Sequence, residues 1–344
     1  SYGVRFPRLY NKKGAKQKVT ASYDVPAGTV ESSFWPTRIE DGYAYFCWWG
    51  MVGDTGDTRA VLPPGWEPVG RADGVAVEHT ADGIVMRAKS RKDPADFVDC
   101  VEAVAPERLE KRYVTGTGGR SLIAIESWPG DIEWADTTVD AATEALSNVE
   151  SWMGSPMPGG ELRVREVATQ SRRYYRGDER PSDGVLGITE DADPRLHVGA
   201  PLVTMWLQPG HVTDRWLERG IAIWLGTRAI DGIECDDPMA HPGPDEPDID
   251  AWAEPASDDD RLLTDWQNVT ACNILETAAG VVGEEAMIEL IAEFVDAPVP
   301  VGTSHWLAAV SRDLPEGLSY PRPTESTRAD SHDLSGSRIW MSPI

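Results

Sequence analysis

His197, His211, Asp214 and Glu218 are the residues of this 344-residue chain whose types and proximity look most like a reactive site. Imidazoles and carboxylates together hold divalent transition metals, and a held metal polarises a carbonyl or activates a water. On one continuous helix, His211, Asp214 and Glu218 would share a face at i, i+3 and i+7. Each also has a simpler task available. Asp214 reads as a first-turn acid near a helix N-terminus, and Glu218 as an exposed partner for Arg215 or Arg219. The simpler tasks are the ones expected, with the metal site as the alternative.

The elements that must position these residues read as helices. "RLHVGAPLVTMWLQ" carries His197, and "VTDRWLERGIAIWLGTRAI" carries Asp214 and Glu218. Upstream, "VDAATEALSNVESWMG" places Val139, Ala142, Leu146 and Val149 at helical spacing, and Gly154 is a plausible stop. "ELRVREVA" and "VLGITE" follow as strands. Downstream, Met287, Leu290, Ile291 and Phe294 mark another helical face, and "SHWLAAVSRDL" a last short helix. Residues 21–130 are different in texture. Short runs such as "YAYFCWWG", "VAVEHTA", "GIVMRAKS" and "SLIAIESW" are punctuated by "PAG", "PPG", "ADG" and "GTGG", the pattern of short strands and turns. "TGTGGR" lies between two such runs and reads as a hairpin turn, not a phosphate loop. The fold class expected is α+β, an N-terminal β-sandwich or saddle-shaped domain followed by a mostly helical domain over residues 131–320.

The helical half resembles the gluzincin (thermolysin-like) zinc aminopeptidase family from residue 107 to residue 313. "ATEALSNVESWMGSPMPGGELRVREV" is similar to that family's helix, G-x-P-x-P turn and strand. "MWLQ" is similar to the H-Q-W-F that closes its zinc helix, and "RWLERGIA" to its W-L-N-E-G-F-A helix. The resemblance implies a thermolysin-like helical domain behind a β domain. In that family, H-E-x-x-H sets two imidazoles one turn apart to reach a single zinc, with the glutamate as general base. With Trp206 as anchor, those five positions fall on Ala200, Pro201, Leu202, Val203 and Thr204. Both histidines are replaced, and proline stands for the base. The third ligand falls on Arg219, a permanent cation. A register starting at His197 gives "HVGAP" and keeps one ligand only. The amine-binding G-x-M-E-N motif faces "SDGVLGITED", and no tyrosine occurs between Ile221 and Ser319 to serve as the catalytic one. The resemblance thus implies a degenerate member with a vestigial cleft around Ala200, Pro201, Thr204, Arg219 and His197, no metal and no cofactor.

The formal charge of −25 opposes nucleic acid as a main partner, since phosphates would be repelled. The positive charge gathers in residues 1–20, where Arg5, Arg8, Lys12, Lys13, Lys16 and Lys18 occur with no acid before Asp24. Residues 231–260 hold a dozen acids, five prolines and neither lysine nor arginine, so they read as a solvated surface loop. Asp245, Glu246, Asp248 and Asp250 within it lack the EF-hand register. Residues 321–344 form a polar tail with an apolar tip at Ile339, Trp340 and Met341. Protein partners are expected through the basic arm and this tail. No run of about 20 apolar residues is present to span a membrane. Hydrophobic residues make up 41% of the chain, a globular proportion. The four cysteines are too far apart for metal knuckles. The expected pairing is Cys47 with Cys100 and Cys235 with Cys272, each bridge staying within one predicted domain. The chain opens on Ser1, as a removed leader or a trimmed start would leave it. These points together favour a non-catalytic, metallopeptidase-like binding or structural protein in an extracellular or cell-surface assembly, with a cytoplasmic placement as the alternative. Two other functions stay open: a peptidase with a rearranged site, or a carbohydrate-binding β module using Trp35, Trp48, Trp49 or Trp66 among the 14 tryptophans.

Overall fold

The structure is a computed structural model that describes residues 28–30, 37–49, 59–69, 75–88, 98–158, 161–168, 185–207, 210–237, 252 and 261–312. The basic arm, the polar tail, Trp35, the side chains of Trp48 and Trp49, and the acids at 245–250 lie outside that set.

The chain is α+β, sheets first and helices after. In the β half, alternation sorts side chains onto two faces of each strand. β1 (Gly28–Val30), β2 (Thr37–Glu40), β3 (Tyr43–Trp49), β5 (Glu67–Val69) and β8 (Val98–Val104) make a five-stranded antiparallel sheet in the order β1-β2-β3-β8-β5. β4 (Arg59–Leu62), β6 (Val75–Thr80) and β7 (Gly83–Ala88) make a three-stranded one, β4-β7-β6. Ala44, Val101 and Ala103 of the first sheet share a core with Leu62, Ile84 and Met86 of the second, so the two stack as a sandwich. Trp66 belongs to that core and is buried, which corrects its reading as an exposed sugar platform. The opposite face of β3 presents Tyr43, Tyr45 and Cys47 to Trp128, Val167 and Ala168 of the following sheet. Cys47 and Cys100 stand directly opposite each other on β3 and β8 and are joined by a disulfide.

That following sheet is built across the expected domain boundary at residue 130. β9 (Glu110–Thr115) and β10 (Leu122–Ser127) form a hairpin closed by a short turn at residues 117–119, and β10 then pairs in parallel with β11 (Glu161–Val167), which pairs with β12 (Val185–Thr189). The order is β12-β11-β10-β9. Parallel neighbours need a crossover, and α1 (Ile132–Met153) supplies it. Asp131 caps α1 by accepting from the Trp134 N–H at 3.2 Å, and Gly154 ends it in the left-handed region at φ 61°. The buried face of α1, Ala142, Leu146 and Val149 among others, lies over Ile123, Ile125, Leu162 and Val164 in one core.

Among the described residues, five more helices follow: α2 (Arg195–Thr204), α3 (Arg215–Arg228), α4 (Arg261–Val282), α5 (Glu284–Val295) and α6 (Thr303–Arg312). They share the same core as α1, through Trp206, Trp216, Trp224, Trp266, Phe294 and Trp306. Two described points of the acidic segment, Cys235 and Trp252, are held against α4. A disulfide joins Cys235 to Cys272 of α4, and Trp252 is buried against Trp266 with ring centroids 5.1 Å apart. Among the described residues, no helix is long and apolar enough to cross a membrane.

Candidate functional site

The cleft residues lie on α2 and α3. α2 starts after Asp193, whose Oδ1 accepts from the Arg195 N–H at 3.0 Å, and it contains Pro201 in its interior. Proline there removes one i→i−4 hydrogen bond and leaves the His197 carbonyl without that donor. Ala200 is half-buried, while Pro201, Leu202, Val203 and Thr204 are buried. The Thr204 hydroxyl donates to the Pro201 carbonyl at 2.6 Å, so it is turned onto its own helix. Trp206, the anchor of the motif, is buried and donates its indole N–H to Ser155 at 3.3 Å, just past the end of α1. His197 is half-buried on α2. Desolvation holds its imidazole below the usual histidine value, partly opposed by Asp193 and Asp236.

α3 crosses α2 with backbone against backbone. A β-carbon on Gly199 would sit 2.2 Å from the Gly226 carbonyl oxygen, and one on Gly226 would sit 2.3 Å from the Ala200 nitrogen. The next crossing is almost as close, since a β-carbon on Gly220 would meet Leu275 and Ala271 of α4 at 2.8 and 3.1 Å. Arg219 is thereby driven into the α3–α4 interface and is only 2% exposed. Its Nη1 donates to the Gln267 side-chain oxygen at 2.6 Å. Gln267 had a readable signal. With Thr264, Ala271 and Leu275 it occupies the buried stripe of α4, and a polar residue in such a stripe requires a polar partner.

His211, Asp214 and Glu218 are not brought together as a metal site. α3 begins at Arg215, so His211 is not on it; the preceding residues run extended, with Val212 bridging in parallel to Val301. His211 Nε2 lies 2.7 Å from the Phe294 carbonyl at the end of α5. Asp214 faces α6 instead. Its Oδ2 accepts from the Thr303 N–H and, at 2.7 Å, from the Thr303 hydroxyl, which in turn accepts from the Trp216 indole at 2.8 Å. Asp214 is therefore the acid at the N-terminus of α6, not the first-turn acid of its own helix. Replacing it by alanine is expected to cost about 1–2 kcal/mol in chemical denaturation, because it leaves the α6 N-terminus without its acceptor. Asp214→Asn, which keeps one acceptor, should lose less. Among the described residues, no three His, Cys, Asp or Glu side chains are grouped to hold a metal ion.

The donor set can be tested against zinc directly. Ala200 and Pro201 offer no ligand atom, the Thr204 hydroxyl is engaged, Arg219 brings a positive charge into the interior, and His197 alone offers an imidazole, with no second or third His, Cys, Asp or Glu grouped with it among the described residues. Zinc needs imidazole, thiolate or carboxylate donors. These residues do not fit the ion, and no step of a zinc mechanism can be routed through them.

The chain matches no protein-family model and no curated protein sequence. Among solved structures it is similar to the crystal structure of the M1 zinc metallopeptidase from Deinococcus radiodurans, at 15% identity and a TM-score of 0.44, over 81% of this chain and 68% of that one.

Proposed function

We propose that the chain is a non-catalytic, metallopeptidase-like protein that works by binding, as a component of an extracytoplasmic or multi-subunit assembly. Arg219 carries this reading. It stands at the position of the third zinc ligand in the motif resemblance, is buried, and is hydrogen-bonded to Gln267. A guanidinium stays protonated at any physiological pH, so it repels a divalent cation where a carboxylate would attract one. The α2 side supports the same reading, because the base position is Pro201 and the second histidine position is a self-satisfied Thr204.

The test is metal content of the purified full chain, followed by hydrolysis assays on aminoacyl and peptide substrates. The expected outcome is zinc well below one ion per chain and no turnover that a chelator removes. Stoichiometric zinc with chelator-sensitive hydrolysis would make the chain a peptidase with a rearranged site.

A further inference from the structure

Away from the α2–α3 crossing, a groove of about 1170 Å³ lies between the end of α1 and the length of α5. Its floor is apolar, with Trp152, Met153, Ile288 and Ala292 partly or wholly buried along it. Its rim is acidic. Glu285, Glu289 and Glu293 follow each other at i, i+4 along α5, and Asp296 continues the row past the helix end; all four are exposed.

This arrangement is unfavourable for the isolated helix. Like charges at i, i+4 destabilise a helix, and acids at a C-terminus oppose its dipole. Both helix ends at the groove add negative partial charge, and neither α1 nor α5 has a basic residue in its last turn. Arg228 reaches Glu284 at 3.4 Å and Arg312 reaches Glu293 at 3.7 Å, but among the described residues no cation pairs with Glu285, Glu289 or Asp296. The groove therefore suits a segment that is cationic and also has apolar side chains for the floor.

We propose that the occupant is the chain's own N-terminal segment, residues 1–20. It carries six cations and no acid, interleaved with Val4, Phe6, Leu9 and Tyr10, in a chain whose net charge is −25. Charge complementarity on this scale is what favours docking at low ionic strength. The 12 residues from Lys16 to Gly28 can extend to about 40 Å, and either the same chain or a second copy can supply the segment. The proposal rests on the functional reading only in taking the basic arm as a docking segment, and it does not depend on the state of the cleft.

The experiment is carbodiimide cross-linking of the full chain at low salt, with the linked residues mapped by mass spectrometry. Lys12, Lys13, Lys16 and Lys18 are expected to link mainly to Glu285, Glu289, Glu293 and Asp296, and the links should fade at high salt. Glu285→Lys with Glu289→Lys should lower that yield about tenfold, as reversing two surface charges implies, while helix content and melting temperature stay unchanged. Links within one chain or between two chains both support this occupant and differ only in which copy provides it. Links that go instead to the acids of residues 231–260, and that the double variant leaves alone, would overturn the groove as the site while keeping the arm as a docking segment. An arm that links to nothing would overturn both.

Discussion

Gly226→Ala is expected to cost the protein about 3 kcal/mol or more, the upper range for overpacking, which is a large share of an ordinary domain's stability. The new methyl group would lie 2.3 Å from the Ala200 nitrogen, 2.6 Å from its Cα and 2.6 Å from the Gly199 carbonyl carbon. All three are backbone atoms in the middle of a helix, so no side chain can swing away to make room. α2 and α3 must separate, and the cost then spreads into the layers that depend on their spacing, including Leu202, Val203, Leu225 and Ala222 in the shared core. Urea unfolding of the two proteins measures the difference. Gly280→Ala is the control of opposite sign. Gly280 sits in α4 with no atom within 4 Å of the added carbon, so alanine there should stabilise by about 0.5–1 kcal/mol through helix propensity. A Gly226→Ala protein within about 1 kcal/mol of the parent would mean that the crossing has slack and that the two helices are not locked by their glycines.

That crossing shows where a sequence can be read and where it cannot. α1, α3, α5 and α6 were visible because each repeats apolar residues at helical spacing over at least two turns, as Met287, Leu290, Ile291 and Phe294 do in α5. The turn at residues 117–119 was visible because glycines between two apolar runs have few other uses. Long-range pairing left no such trace. Nothing local in "SLIAIESW" says that this strand joins the β half on one side and, through Glu161–Val167, the helical half on the other. The expected boundary at residue 130 therefore cuts through a sheet. The predicted helix from Val212 starts three residues early: Asp214 is its N-cap, and its carboxylate is turned to α6, which spacing along the chain does not show. For the candidate cleft, the residue types at Ala200, Thr204 and Arg219 are plain in the letters, whereas the Gln267 oxygen that accepts from Arg219 needed a second helix in place.

Glu166→Gln is expected to stabilise the protein by about 4 kcal/mol at pH 7 and to leave it nearly unchanged near pH 4. Glu166, on β11, is fully buried. Its Oε2 accepts from the Trp128 N–H at 2.8 Å, while Oε1 meets no hydrogen-bond partner. Burial pushes its carboxyl up to about 9; the Trp128 N–H opposes this, and the nearby charges of Asp131 and Glu190 reinforce it. The neighbouring carboxylate on β10 has a different partner. Glu126 is buried too, but it receives both Nε and Nη2 of Arg165 on the adjacent strand. Two buried acids one strand apart thus have different partners, a guanidinium for Glu126 and a backbone N–H for Glu166. For Glu166 the folded value lies above the unfolded one, so the stabilising state is the protonated one. Its contribution is fully present below the unfolded value of about 4.3 and is lost progressively as pH rises towards 9. Each unit in that window removes up to about 1.4 kcal/mol. Glutamine keeps an oxygen for the Trp128 N–H and turns its amino group towards Asp131, but has no proton to lose. The difference between parent and variant, taken from unfolding curves at pH 4, 6 and 8, should therefore grow with pH, whatever the rest of the chain's carboxylates do in common. A variant that is less stable than the parent by the same amount at all three values would show instead that Glu166 is held as a charged group with partners that glutamine cannot satisfy.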